Sequence, residues 1–60
     1  MIPKDPVLLL SYVNTKLRDY DSSLDAFCER EDVEKASIIE SLEEIQYEYI
    51  ESQNQFKARG

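Results

Sequence analysis

The sequence contains no histidine, a single cysteine and only seven basic residues among its 60. Without histidine the chain lacks the commonest general base and the usual zinc ligand. Cys28 has no second cysteine to bridge to, and a reactive thiol needs a base or a positive neighbourhood. At an inward helical position it packs as a small hydrophobe, so we assign it to the core. These absences argue against an enzyme, and no catalytic residue, metal or cofactor is assigned.

Long apolar runs are missing as well. The longest, Val7-Leu8-Leu9-Leu10, is far below the roughly 20 residues that cross a bilayer, so no membrane span is expected. The opening Met1-Ile2-Pro3-Lys4-Asp5-Pro6 has neither the apolar region nor the cleavage site of a secretory signal. With one cysteine and no disulfide, the cytoplasm is the expected compartment. A chain this short makes one domain and buries only about 60% of the surface its unfolded form exposes. Every large apolar side chain is therefore a core candidate first.

Acidic residues are abundant, and they are unevenly placed. From Asp19 to Glu51, twelve Asp or Glu stand against only Arg30 and Lys35, a local charge of −10 in a chain whose total is −6. Lys4, Lys16, Arg18, Lys57 and Arg59 in the flanks oppose this weakly. Phosphate backbones are repelled by such a surface.

Asp5-Pro6 is a strong helix start, since Asp caps free amides and Pro at the first helical position loses no hydrogen bond. A first helix is predicted from Pro6 to Asp19, with Leu9 or Leu10, Val13, Leu17 and Tyr20 as its apolar set and Lys16 and Arg18 in the last turn. Ser23, with Ser22 as the alternative, caps a second helix from Leu24 to Arg30 whose Leu24, Phe27 and Cys28 face inward. After a turn at Glu31-Asp32, a third runs from Lys35 to Glu44 with Ile38, Leu42 and Ile45 on one stripe, widened by Ile39 and Ala36. The period then changes. Tyr47, Tyr49 and Phe56 alternate with polar residues around Glu51-Ser52-Gln53-Asn54, predicting a two-stranded hairpin from Tyr47 to Ile50 and from Asn54 to Lys57. An isolated hairpin is marginal in water, so one face must pack on the helices. The expected fold is mainly α, a small α+β domain over residues 1–57 with a tri-helical core and a C-terminal β-hairpin. Residues 58–60 are expected to fray.

The spacing Cys28, Val33, Ile38 resembles a helix-turn-helix unit, and with a helix before it and a hairpin after it the order resembles a winged helix. Glu31, Asp32 and Glu34 depart from that pattern, where an apolar residue, a Gly and a Ser or Thr cap are usual. The helix that would read DNA carries Glu34, Glu40, Glu43 and Glu44 against Lys35, the wrong sign for a major groove. The whole chain also resembles a family of short uncharacterised bacterial proteins, a domain of unknown function. The resemblance rests on the Met-Ile-Pro-Lys-Asp-Pro start, the stretch from Leu10 to Asp19, Ser23-Leu24-Asp25, Tyr47-Glu48-Tyr49 and Asn54-Gln55-Phe56. Gln46 departs from that family, where a Gly often precedes the first hairpin tyrosine. The resemblance implies a bacterial, cytoplasmic origin and transfers no activity and no functional residue.

Other residue patterns have simpler explanations than chemistry. Asp19, Asp21, Ser23 and Asp25 imitate the opening of a calcium loop, but Leu24 replaces its Gly and Arg30 its final Glu. Capping and solvation explain these acids. Paired carboxylates such as Glu43-Glu44 or Glu29-Glu31 need a cleft for acid–base work, and so small a domain is not expected to hold a pocket of several hundred Å³. The tyrosines Tyr12, Tyr20, Tyr47 and Tyr49 are read as core and core-edge residues with hydroxyls reaching water. No small-molecule ligand is evident.

The start of the first helix is least explained by a core. Val7, Leu8, Leu9 and Leu10 fan over about 300°, so one packed face cannot bury them all. Either the hairpin or the Ile2-Pro3 arm covers the remainder, or the surface serves self-association or a partner. The leading expectation is a non-enzymatic protein-interaction module, a small adaptor or regulator, binding an unknown protein or a second copy. Val7, Leu8 and Tyr12 supply apolar contact, while Glu40, Glu43 and Glu44 steer a basic partner. The alternative is a nucleic-acid-binding, winged-helix-like transcriptional regulator, which requires Lys4, Lys16, Arg18, Lys57 and Arg59 to converge on one surface.

Overall fold

A computed structural model describes residues 2–60; Met1, the first residue of the expected domain and of the family-like start, lies outside the described residues. The elements are α1 (Pro6–Asp19), α2 (Leu24–Glu31), α3 (Lys35–Glu43), β1 (Tyr47–Ile50) and β2 (Gln55–Ala58). This is the expected small α+β fold of three helices and a C-terminal antiparallel hairpin.

Each helix boundary has a local cause. The Asp5 carboxylate accepts the N–H groups of Val7 at 2.8 Å and Leu8 at 3.4 Å, with Pro6 in the first turn. The Ser23 hydroxyl accepts the Ala26 N–H at 3.0 Å. α2 continues one residue beyond Arg30, to Glu31, and stops at Asp32 with φ 58°. The Asp32 N–H donates to Glu29 O and the Val33 N–H to Cys28 O, the paired bonds of a left-handed helix stop. Asp occupies the place where Gly is usual because its short polar side chain tolerates that conformation. Glu34 precedes α3 and makes no side-chain cap bond, as its departure from Ser or Thr implies. α3 is one residue shorter than predicted because Gln46 already turns left-handed, φ 65°, directing the chain into β1. Its carbonyl accepts the Arg59 N–H at 2.7 Å.

Leu9, Val13 and Leu17 of α1, Leu24, Phe27 and Cys28 of α2, Ile38 and Leu42 of α3, and Phe56 of β2 form the buried core. Leu10, Ile39, Ile45, Tyr47 and Tyr49 pack at its edge. Two assignments change. Tyr20 is 74% exposed, because it follows the last helical residue with a non-helical backbone and lays its ring against the Lys16 ammonium at 4.9 Å. Ala36 is exposed rather than part of the α3 stripe, since it lies two residues before Ile38 and therefore points to nearly the opposite side of the helix.

The hairpin pairs Tyr47 with Ala58, Glu48 with Lys57, Tyr49 with Phe56 and Ile50 with Gln55. β2 thus sits one residue later than predicted: Asn54, with φ 53°, belongs to the turn. Ala58, assigned from the sequence to the tail, belongs to the strand. β1 lies against α3 and β2 against α1. Side-chain amides make the second junction. Asn14 Nδ2 donates to Phe56 O at 3.1 Å while its Oδ1 accepts the Phe56 N–H at 2.8 Å, satisfying the strand edge that β1 leaves open. Gln55 Nε2 donates to Asn14 O at 3.1 Å.

Asn54 closes the structure from the turn. Its Nδ2 donates to Leu17 O at 3.0 Å and Asp21 O at 2.9 Å, and its Oδ1 accepts from the Tyr49 hydroxyl at 2.6 Å. That hydroxyl in turn accepts the Leu24 N–H at 3.2 Å. One carboxamide therefore joins the end of α1, the start of α2 and the hairpin. Asn54→Ala removes these bonds and places a less tolerant residue at positive φ, an expected loss of about 2–4 kcal/mol. Total stability for a chain of this size is about 3–9 kcal/mol. Asn54→Gly relieves the backbone but not the lost bonds, so urea unfolding should rank wild type above Gly and Gly above Ala.

Candidate functional site

The apolar start of α1 is open to solvent. Val7 is 62% and Leu8 61% exposed, so neither the hairpin nor the Ile2-Pro3 arm covers them. The arm goes elsewhere: Ile2 packs against the core. At about 100° per residue the two side chains point to different flanks of the helix, and their backbone is fixed by the Asp5 cap.

Tyr12 belongs to a different environment. It is half-buried, its hydroxyl donates to Glu31 Oε2 at 2.7 Å, and its ring meets Phe27 edge-on at 6.2 Å. Lys16 covers the same ring at 5.3 Å. Only the two aliphatic residues of the expected apolar contact therefore stand outward. The Tyr12 and Tyr49 hydroxyls, expected to reach water, are instead committed to internal hydrogen bonds, Tyr12 to the Glu31 carboxylate and Tyr49 to the Leu24 N–H and Asn54 Oδ1.

Glu40, Glu43 and Glu44 are exposed on α3. Glu40 lies midway between Ile38 and Leu42 and so points directly away from the core. Glu43 approaches Arg59 Nη2 at 3.4 Å. No hydrogen bond or ion pair among the described residues links these acids to Val7 and Leu8.

Several acids are used internally. Both Asp21 oxygens accept from Arg30, at 2.9 and 2.7 Å, and Asp21 is 6% exposed. Glu31 accepts from Tyr12 and pairs with Arg30 Nη1 at 3.2 Å. Asp25 pairs with Lys35 at 2.9 Å and Asp19 with Arg18 at 2.8 Å. The run from Asp19 to Asp25 is thus spent on ion pairs. Among the described residues no group of three or more His, Cys, Asp or Glu is arranged to hold a metal ion. Of the basic residues the DNA alternative requires, Arg18 and Arg59 are paired with carboxylates and Lys16 lies between two tyrosine rings.

These contacts shift protonation in predictable directions. Hydrogen bonding to Glu31, then burial, raises the Tyr12 phenol. Burial raises the Cys28 thiol, which disfavours the nucleophilic thiolate. The Arg30 hydrogen bonds hold the Asp21 carboxyl below the usual carboxylate range against an opposing effect of burial.

Sequence reasoning missed a groove. An open concavity of about 760 Å³ runs between the Ile2-Pro3 arm, the α2–α3 turn and α3, where no pocket of several hundred Å³ was expected. It exists because the arm folds beside α3 instead of over Val7 and Leu8. Ile2, Leu9, Val33 and Ile38 give it an apolar base, and Glu31, Asp32 and Glu34 line it on the turn side. Lys4 stands on the arm, and Ser37 and Ser41, one helical turn apart, supply small side chains along α3. The three departures from the helix-turn-helix pattern were the available signal, since all three residues line it.

The family model described as "Domain of unknown function (DUF4250)" matches residues 3–56, which take in α1 to the second residue of β2. No curated protein and no solved structure matches the chain. Among the described residues no helix is long and apolar enough to cross a membrane.

The Asp21–Arg30 pair gives stability a defined pH dependence. A carboxyl lowered on folding contributes fully above its unfolded pKa of about 4, and that contribution is lost as pH falls through the folded value. Arg30→Met leaves Asp21 buried and unpaired at neutral pH, so its melting temperature should fall well below wild type there. The gap should close below about pH 4, where protonation removes the stranded charge. A gap independent of pH would mean that Arg30 acts through packing on Phe27.

Proposed function

The chain belongs to the DUF4250 family of domains of unknown function, and from its own surface chemistry we propose that it is a non-enzymatic, acidic protein-interaction module, a small adaptor or regulator acting in the cytoplasm. The observation that carries this reading is the exposure of Val7 and Leu8, 62% and 61%, on a helix start that is already capped and rigid. In a domain with so little apolar surface to spare, two uncovered aliphatic side chains favour a use outside the fold.

Charge selects the partner. The −10 stretch from Asp19 to Glu51 attracts a basic protein surface and accelerates encounter with it. Two copies of a chain carrying −6 repel each other, which favours a different protein over a second copy. The buried, reduced Cys28 suits a thiol-maintaining compartment. The transcriptional-regulator alternative has only its element order in its favour, since the outward face of α3 presents Glu40, Glu43 and Glu44.

Sedimentation of the purified protein, alone and with partners captured from nuclease-treated lysate, tests the proposal. Wild type should form a complex, and Leu8→Asp should disrupt it while changing folding stability by no more than about 0.5 kcal/mol, as expected for an exposed site. A wild-type chain that is strictly monomeric and captures no protein would contradict the reading.

A further inference from the structure

Resting on that reading, we propose that the groove beside α3 is the partner's principal seat, and that its occupant is an amphipathic segment of another protein whose apolar side chains are flanked by Lys or Arg. Apolar base and acidic border call for those two features together. Leu9 and Ile38 are already buried in the core and close the bottom, while Ile2 and Val33 form half-buried walls. Ser37 and Ser41 leave room along α3 that larger residues at the same stripe would fill. An inserted aliphatic side chain would gain burial here without displacing any residue of the core.

The border is specific in sign. Among the described residues Glu31 has a cationic partner, Arg30, whereas Asp32 and Glu34 have none. Their backbones are nevertheless fixed, Asp32 by the left-handed stop of α2 and Glu34 by its place at the head of α3. Lys4 is the single cation lining the groove, and with Glu31 engaged by Arg30 it stands against two carboxylates without a cationic partner, Asp32 and Glu34. A cationic segment therefore meets preorganised, uncompensated charge, whereas nucleic acid and acidic peptides meet repulsion. A compact polar ligand lacks its usual anchors, because the base is aliphatic and the polar groups stand along the edge.

The test is a titration of the isotope-labelled full chain with a short amphipathic Leu/Lys peptide and with its Leu/Gln counterpart, followed by amide chemical shifts. The Leu/Lys peptide should move Val33, Ser37 and Ser41. The Asp32→Asn, Glu34→Gln double variant, which keeps a residue tolerant of positive φ at position 32, should weaken binding about tenfold and flatten its salt dependence. Ser37→Tyr, at an exposed helical position, should abolish binding with an unchanged unfolding midpoint. Equal binding of the Leu/Gln peptide would overturn the charge requirement, and shifts confined to Val7, Leu8 and Glu40 would overturn the groove as the seat. Spermine producing the same shifts as the peptide would reassign the groove to small polycations. Concentration-dependent shifts without peptide would reassign it to a second copy, and either result overturns the proposal, as does the absence of any shift. The interaction reading itself stands or falls on whether the wild-type chain captures a protein partner in sedimentation, which none of these outcomes changes.

Discussion

The Asn54 carboxamide is the constraint on which the rest of this fold depends. A short chain with a hairpin at its end has few apolar residues with which to hold that hairpin, and Phe56 is the only hairpin side chain that is fully buried. Burial of one ring positions a strand poorly, because hydrophobic contact is not directional. Hydrogen bonds supply the direction. Both Asn54 N–H groups and its oxygen are used, so the amide has one orientation, and the end of α1 and the turn of the hairpin are fixed relative to each other. Asn14 repeats the device two residues along the hairpin, standing in for a neighbouring strand along Phe56. The hairpin is held to the helices by two asparagines as much as by its aromatic face.

The acidic residues divide into two populations with different consequences. Asp21 and Glu31 turn inward and share Arg30, so their charge is partly compensated where the carboxylates are shielded from water. Glu40, Glu43, Glu44, Asp32 and Glu34 remain outside and give the surface its sign. The inward set, two carboxylates and one arginine, carries a net charge of only −1, so nearly all of the −10 of the central stretch stands on its outward residues.

Much of the fold was legible in the sequence. Asp5-Pro6 and Ser23 announced their helices because capping is a local event decided by a few adjacent residues. Leu9, Val13, Leu17, Phe27, Ile38 and Leu42 fell on the predicted faces because helical periodicity is fixed by backbone geometry. The one-residue shifts at Glu31, Glu43 and Asn54 share a cause. Each boundary is set by a non-glycine residue, Asp32, Gln46 or Asn54, taking positive φ; Asp and Asn tolerate that conformation without requiring it, and Gln46 has no such preference. Of the candidate surface, the exposure of Val7 and Leu8 was foreseeable by angular counting. Tyr12 was not, because its hydrogen bond partner Glu31 lies 19 residues away.

The sequence by itself determined the elements, the inward stripes, the strong negative charge and the absence of histidine, since all four follow from composition or short-range spacing. Tertiary structure alone decided where the Ile2-Pro3 arm lies, that Asn14 and Asn54 clasp the hairpin, and that Glu31, Asp32 and Glu34 border a groove with Ser37 and Ser41 along its side. Those features join residues far apart along the chain, and their geometry follows from how three helices and a hairpin share one small core. Local patterns specify which faces turn inward; only packing specifies which outward residues become neighbours.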